Sequence, residues 1–159
     1  MEVKIQEYIK NEKYYIIRTN RYKQYLGMSY DLTANNIIFQ IFEPKLSNSN
    51  YLTPDVNRQF TLKLSEVQVL MKTITMLWNQ ADKGVPVHNR TLSVRNFGDY
   101  NVQVTLTKAE NSSEYIVLEK RNKVNLPYES FSLNLGYAPS RCMYVILRRL
   151  LKNKDIGGL

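Results

Sequence analysis

Apolar and polar residues alternate along much of this chain, and twice the alternation gives way to a helical rhythm. In Phe60-Thr61-Leu62-Lys63-Leu64 every second side chain is apolar, the spacing of a half-buried strand. Val67, Leu70, Met71, Ile74, Leu77 and Trp78 follow as one apolar stripe at helical period. Phe131-Ser132-Leu133-Asn134-Leu135 repeats the pentad 71 residues later, ahead of a second stripe at Cys142, Met143, Ile146, Leu147 and Leu150. A shared pentad leading each time into a helix indicates an internal duplication.

Punctuation sharpens these elements. Ser65-Glu66-Val67-Gln68 has the form of a capping box at the first helix. Gly84 supplies a stop, because glycine accepts the left-handed conformation that ends helices. Pro139 suits the first turn of the second helix, where its missing N–H would have no partner anyway. Ahead of the first helix, strands are expected at residues 14–18, 24–30, 37–42 and 59–64. Ahead of the second they are expected at 91–95, 101–107, 114–120 and 130–135. Val102, Val104 and Leu106 lie on one side of their strand, with Asn101, Gln103, Thr105 and Thr107 on the other, so one sheet face is wet. Asn96-Phe97-Gly98-Asp99 carries turn chemistry, and residues 44–57, rich in Ser and Asn, read as a long loop. The expected fold is α+β: two tandem antiparallel four-strand-plus-helix units in one domain over 1–159, with pseudo-repeats 13–84 and 85–154.

Composition narrows the function. The 159 residues are 43% hydrophobic, enough to build a real core. One cysteine and one histidine exclude a disulfide framework and any multi-cysteine zinc site. Cys142 falls on an apolar stripe and reads as a small core residue, and His88 as a surface residue. Six glycines include no phosphate-cradling loop. Glu43 and Asp55 fall in the expected loop, whereas metal-dependent cleavage needs carboxylates fixed around an ion. The expectation is a non-enzymatic protein without metal or cofactor. No apolar run is long enough for a membrane helix, and the N-terminus lacks a signal peptide's apolar stretch, which suggests an intracellular location, cytoplasmic or nucleoid-associated.

Charge supplies the positive lead. Lys and Arg number 22 against 14 Asp and Glu, a net +8, which suits a polyanionic partner. The cations cluster over residues 10–23 and 120–154. Tyrosine is abundant, with 12 residues, and Arg21-Tyr22-Lys23-Gln24-Tyr25 interleaves rings with cations most densely. Single-stranded nucleic acid exposes base faces beside a charged backbone, so rings stack while cations follow phosphates. Lys13, Arg18, Arg21, Lys23, Lys63, Arg90, Arg95, Lys120 and Arg121 are the candidate phosphate contacts. Tyr22, Tyr25, Phe97 and Tyr100 are the candidate stacking residues. Tyrosine is also a good strand former, so part of this set belongs to the framework.

A basic tandem of four strands plus a helix, with the Phe60–Leu64 and Phe131–Leu135 echo, resembles the Whirly family, related in fold to the coactivator positive cofactor four. The resemblance covers roughly residues 13–154. It implies binding of single-stranded DNA or RNA across sheet surfaces, with helices packing toward a symmetric homo-oligomer, often a tetramer. Plant members carry Lys-Gly-Lys-Ala-Ala-Leu in the second strand. The counterpart here, Lys23-Gln24-Tyr25-Leu26-Gly27-Met28, keeps the leading lysine and a late small residue, which favours a microbial or viral branch. DNA is the expected partner. The rival readings are an RNA-binding or annealing protein on the same fold, and an oligomeric adaptor whose basic charge is incidental.

Overall fold

A computed structural model of the chain describes residues 8–11, 14–21, 23–48, 50–84, 90–108, 114–122 and 130–155. Strands β1 (Tyr8–Asn11), β2 (Tyr14–Arg18), β3 (Tyr25–Asp31), β4 (Asn36–Pro44) and β5 (Leu52–Lys63) precede helix α1 (Leu64–Asp82). Strands β6 (Arg90–Phe97), β7 (Tyr100–Lys108), β8 (Glu114–Asn122) and β9 (Phe131–Gly136) precede α2 (Tyr137–Asp155). Each set is an antiparallel meander in chain order. The α+β expectation holds: two four-strand sheets, each followed by a helix, pack together in one domain. The first sheet carries β1 as an additional edge strand.

One core unites the halves. Leu26, Met28, Ile37, Phe39 and Leu62 from the first sheet meet Val102, Val104, Leu106, Leu118 and Leu135 from the second in a single buried cluster. The stripes of both helices complete it, through Leu70, Ile74, Leu77, Met143, Ile146 and Leu147. Helix α1 touches its own β4 and β5 and also β6 and β7, while α2 touches β8 and β9 and also β2 and β3. Each helix therefore bridges both sheets. Trp78 locks the pair, donating from Nε1 to Ser140 Oγ at 2.9 Å and meeting the Tyr137 ring edge-on at 5.0 Å. Cys142 is buried in this core.

Two local expectations are corrected, while Pro139 falls in the first turn of its helix as expected. The N-cap of α1 is Lys63, and Glu66 Oε1 accepts the Lys63 N–H at 2.8 Å, so Glu66 itself is the residue that reaches back. Helix α2 begins at Tyr137, which leaves Pro139 inside the first turn. Most of the expected loop at 44–57 is strand: Phe42 pairs with Pro54, Glu43 with Thr53 and Pro44 with Leu52, beyond a bulge between Gln40 and Phe42. Pro54 lies on an edge strand, where a missing N–H breaks no ladder. The buried Gln40 amide fills the bulge, donating to the carbonyls of Ile41 at 2.8 Å and Asp55 at 2.6 Å. Arg58 closes it, pairing with Glu43 and with Asp55.

The duplication is real in architecture, but its spacing differs from the pentad echo. The helices start 73 residues apart, at Leu64 and Tyr137, and both are 19 residues long. The row Met28–Phe39–Phe60 matches Val104–Leu118–Leu133, so Phe60 corresponds to Leu133. Phe131 instead leans its ring on Phe60, 5.9 Å away.

The halves also finish each other's edges. Strands β5 and β9 are the outer strands of their sheets. Asn20, in the β2–β3 connection, donates its N–H to Asn134 O at 2.7 Å and accepts the Gly136 N–H on Oδ1 at 2.8 Å. Reciprocally, Tyr100 at the start of β7 donates its hydroxyl to Thr61 O at 2.5 Å and accepts the Thr61 N–H at 3.2 Å. Gly98, with φ of 75°, opens the two-residue turn that aims Tyr100 there, a backbone angle glycine takes without strain.

Candidate nucleic-acid interface

The β2–β3 connection is a short, internally bonded loop. Thr19 N–H reaches Gln24 O at 3.1 Å and Gln24 N–H reaches Arg21 O at 3.2 Å. Thr19 Oγ1 accepts the Arg21 N–H at 3.2 Å and lies 3.1 Å from Gln24 Oε1. Lys23 turns the chain with φ of 58°, a left-handed angle uncommon outside glycine. This geometry leaves Arg18, Arg21 and Lys23 exposed while Gln24 is buried. With Thr19, Asn20, Tyr25 and Pro44 they line a cleft of about 570 Å³. Among the described residues three cations and no carboxylate line it.

The charge of Arg21 is felt by Arg58, on β5. Burial, and then the nearby charge of Arg21, pull the Arg58 guanidinium below the ordinary arginine value. Glu43 and Asp55, which offset that charge, are both engaged by Arg58. Their role in the structure is to hold the β4–β5 bulge, and they stand apart from any metal-binding group: among the described residues no three His, Cys, Asp or Glu converge as ligands.

Behind the cleft, the sheet face opposite the core is aromatic. Arg18, Tyr25 and Phe42 occupy one row across β2, β3 and β4. Tyr14 meets Phe42 edge-on at 5.1 Å, and both rings fill the space above Gly27. Tyr25 is the half-buried member of this row beside the cations. The corresponding face of the second sheet is polar, with Thr91 and Thr105 hydroxyls 2.8 Å apart and Gln103 and Asn134 half-buried.

The remaining candidates are elsewhere. Arg95, Tyr100 and Lys120 face the junction between the halves. Arg95 is 4.3 Å above the Tyr100 ring and pairs with the buried Glu66 at 3.3 Å. Lys120 is 7% exposed, donates to Gln59 O at 3.0 Å and lies 5.0 Å from the same ring. These three tie β6, β7 and β8 to β5 and α1 and do not line the cleft. Lys63, Arg90 and Arg121 are exposed but also lie outside it, with Arg121 Nε 3.3 Å from Glu119. Phe97 pairs with Tyr100 through its backbone across the turn. Lys13, Tyr22 and His88 lie outside the described residues. The structure adds Thr19, Asn20, Gln24 and Pro44 to the cleft. Gln24 was legible, since it shares the parity of the core residues Leu26 and Met28; Pro44 depends on a strand the sequence hides.

No protein-family model matches the chain, and no curated protein matches it either. The cleft must therefore be read from its own chemistry. No helix of the described residues is long and apolar enough to cross a membrane.

Proposed function

We propose that this chain binds single-stranded nucleic acid, DNA in preference to RNA, without catalysis and with low sequence specificity, as a Whirly-like protein would. The observation that carries the reading is the convergence of Arg18, Arg21 and Lys23 with Tyr25 on one cleft that no carboxylate of the described residues lines. Exposed cations neutralise phosphates by releasing counterions, a term that works on any sequence. A neighbouring ring stacks on an unpaired base, which a duplex does not offer. The described side chains of the cleft are cations, amides, a hydroxyl and a ring beside Pro44, a set that favours a binding role over turnover. Replication, recombination and transcription all expose such strands.

The test is fluorescence anisotropy with labelled single-stranded and duplex DNA of equal length, at low and physiological salt, with an RNA of the same sequence as competitor. Single-strand preference that survives physiological salt and is lost in Arg21→Glu/Lys23→Glu supports the reading. Equal, salt-erased binding to both DNA forms overturns it. Preferential displacement by RNA would move the assignment to an RNA-binding protein on the same cleft.

A further inference from the structure

A second concavity differs in character from the cleft: a groove of about 820 Å³ between α1 and α2. Along α1 it is lined by Gln68, Met71, Lys72, Met76, Asn79 and Lys83 among others, which recur at three- and four-residue steps. That stripe covers about four helical turns, roughly 22 Å. Tyr144 and Leu151, two turns apart on α2, form the facing wall. The floor is thus Met71, Met76, Tyr144 and Leu151. Methionine's flexible thioether suits a surface that moulds to an apolar partner.

The rim has one sign of charge. Lys72 and Lys83 line the α1 side and both are exposed. On α2, Arg141 stacks on Tyr144 with its guanidinium 5.6 Å from the ring centre, and exposed Arg148 follows Arg141 two turns later. Among the described residues no Asp or Glu lines the groove. A second copy seated symmetrically here would set this cationic rim against its own copy, because a two-fold contact uses one patch twice. Nucleic acid fits poorly, since three of the four floor residues have no ring to stack on. A long apolar floor between cationic rims instead complements an amphipathic helix with acidic flanks.

We infer that the α1–α2 groove docks an acidic amphipathic helix of a partner protein, about four turns long, with apolar anchors on Met71, Met76, Tyr144 and Leu151. The site is separate from the cleft, so the inference stands whether or not the chain binds single strands.

The probe is a labelled synthetic peptide of about 16 residues, the four turns the groove spans, with leucines on one helical face and glutamates elsewhere. A scrambled peptide of the same composition is the control. Binding is measured to the full chain, to Lys72→Glu/Lys83→Glu and to Arg21→Glu/Lys23→Glu, with circular dichroism confirming that each folds. Sedimentation equilibrium follows self-association of the chain alone. The expected result is binding of the amphipathic peptide that falls at least about tenfold on scrambling or with the groove variant, and is unchanged in the cleft variant. Equal binding of both peptides would overturn it, as would an equal loss in both variants, since either marks generic charge attraction. A dimer that excludes the peptide, and that the groove substitutions dissociate, would overturn it in favour of a second copy.

Discussion

Gly27 is the residue most tightly committed to glycine. A methyl group there would meet Phe42 Cδ1 at 2.9 Å and Tyr14 Cδ1 at 3.1 Å, and Phe42 is buried with little room to retreat. Gly27→Ala is expected to cost about 1–3 kcal/mol, as overpacking does, which thermal unfolding reads as a drop of several degrees. Tyr25 is the opposite case, because its ring lies half-buried at the cleft with little core to lose. Tyr25→Ala is expected to weaken single-strand binding by about 1–3 kcal/mol, the worth of one stacked base, while shifting the melting temperature little; anisotropy and thermal unfolding on the same sample separate the two. At this scale the alternating pattern was more informative than charge. Tyr100 shares the parity of Val102 and Val104, and Lys120 that of Ile116 and Leu118, so both point inward with the core. Their identity as an aromatic and a cation suggested contacts, but their position in the strand decides where they go. Arg95 escapes that reading, because the bulge between Ser93 and Arg95 resets its register.

Among the elements, strand and helix identity followed from periodicity, whereas register and extent did not. The pentad echo at 71 residues differs from the structural repeat at 73 because a shift of two leaves an alternating strand in phase. Only the helices, whose period is not two, expose the difference. The longer β5 was hidden for another reason: its outer part, rich in polar residues and carrying Pro54, is held by the Gln40 and Arg58 contacts rather than by apolar burial. The edge contacts between halves give two further tests. Tyr100→Phe removes the hydroxyl that serves both backbone groups of Thr61. A stability loss of about 1–3 kcal/mol is expected, with faster hydrogen exchange at the Thr61 amide as its local signature. Trp78→Phe strips the indole donor from Ser140 and is expected to cost a similar amount, now with exchange accelerated along both helices.

For the whole molecule, the net charge of +8 spreads over many sites, yet the cleft gathers only three lining cations. Binding measured across a salt series is therefore expected to have a modest slope. Arg21→Ala should reduce that slope by about 0.7, the single-strand value for each phosphate no longer neutralised, whereas Arg121→Ala, outside the cleft, should leave it nearly unchanged. Tandem architecture was visible in the sequence because it is written in apolar spacing; the site was visible only where several cations share one short loop. The reciprocal contacts of Asn20 and Tyr100 join unlike connections, a six-residue loop in one half and a two-residue turn in the other. A symmetric pair of identical chains would have to repeat either connection in both places. Fusion in one chain removes that obligation and prevents the halves from separating on dilution. The first half is thus released to elaborate a cleft while the second keeps the tighter turn, an asymmetry that a pair of identical chains could not hold.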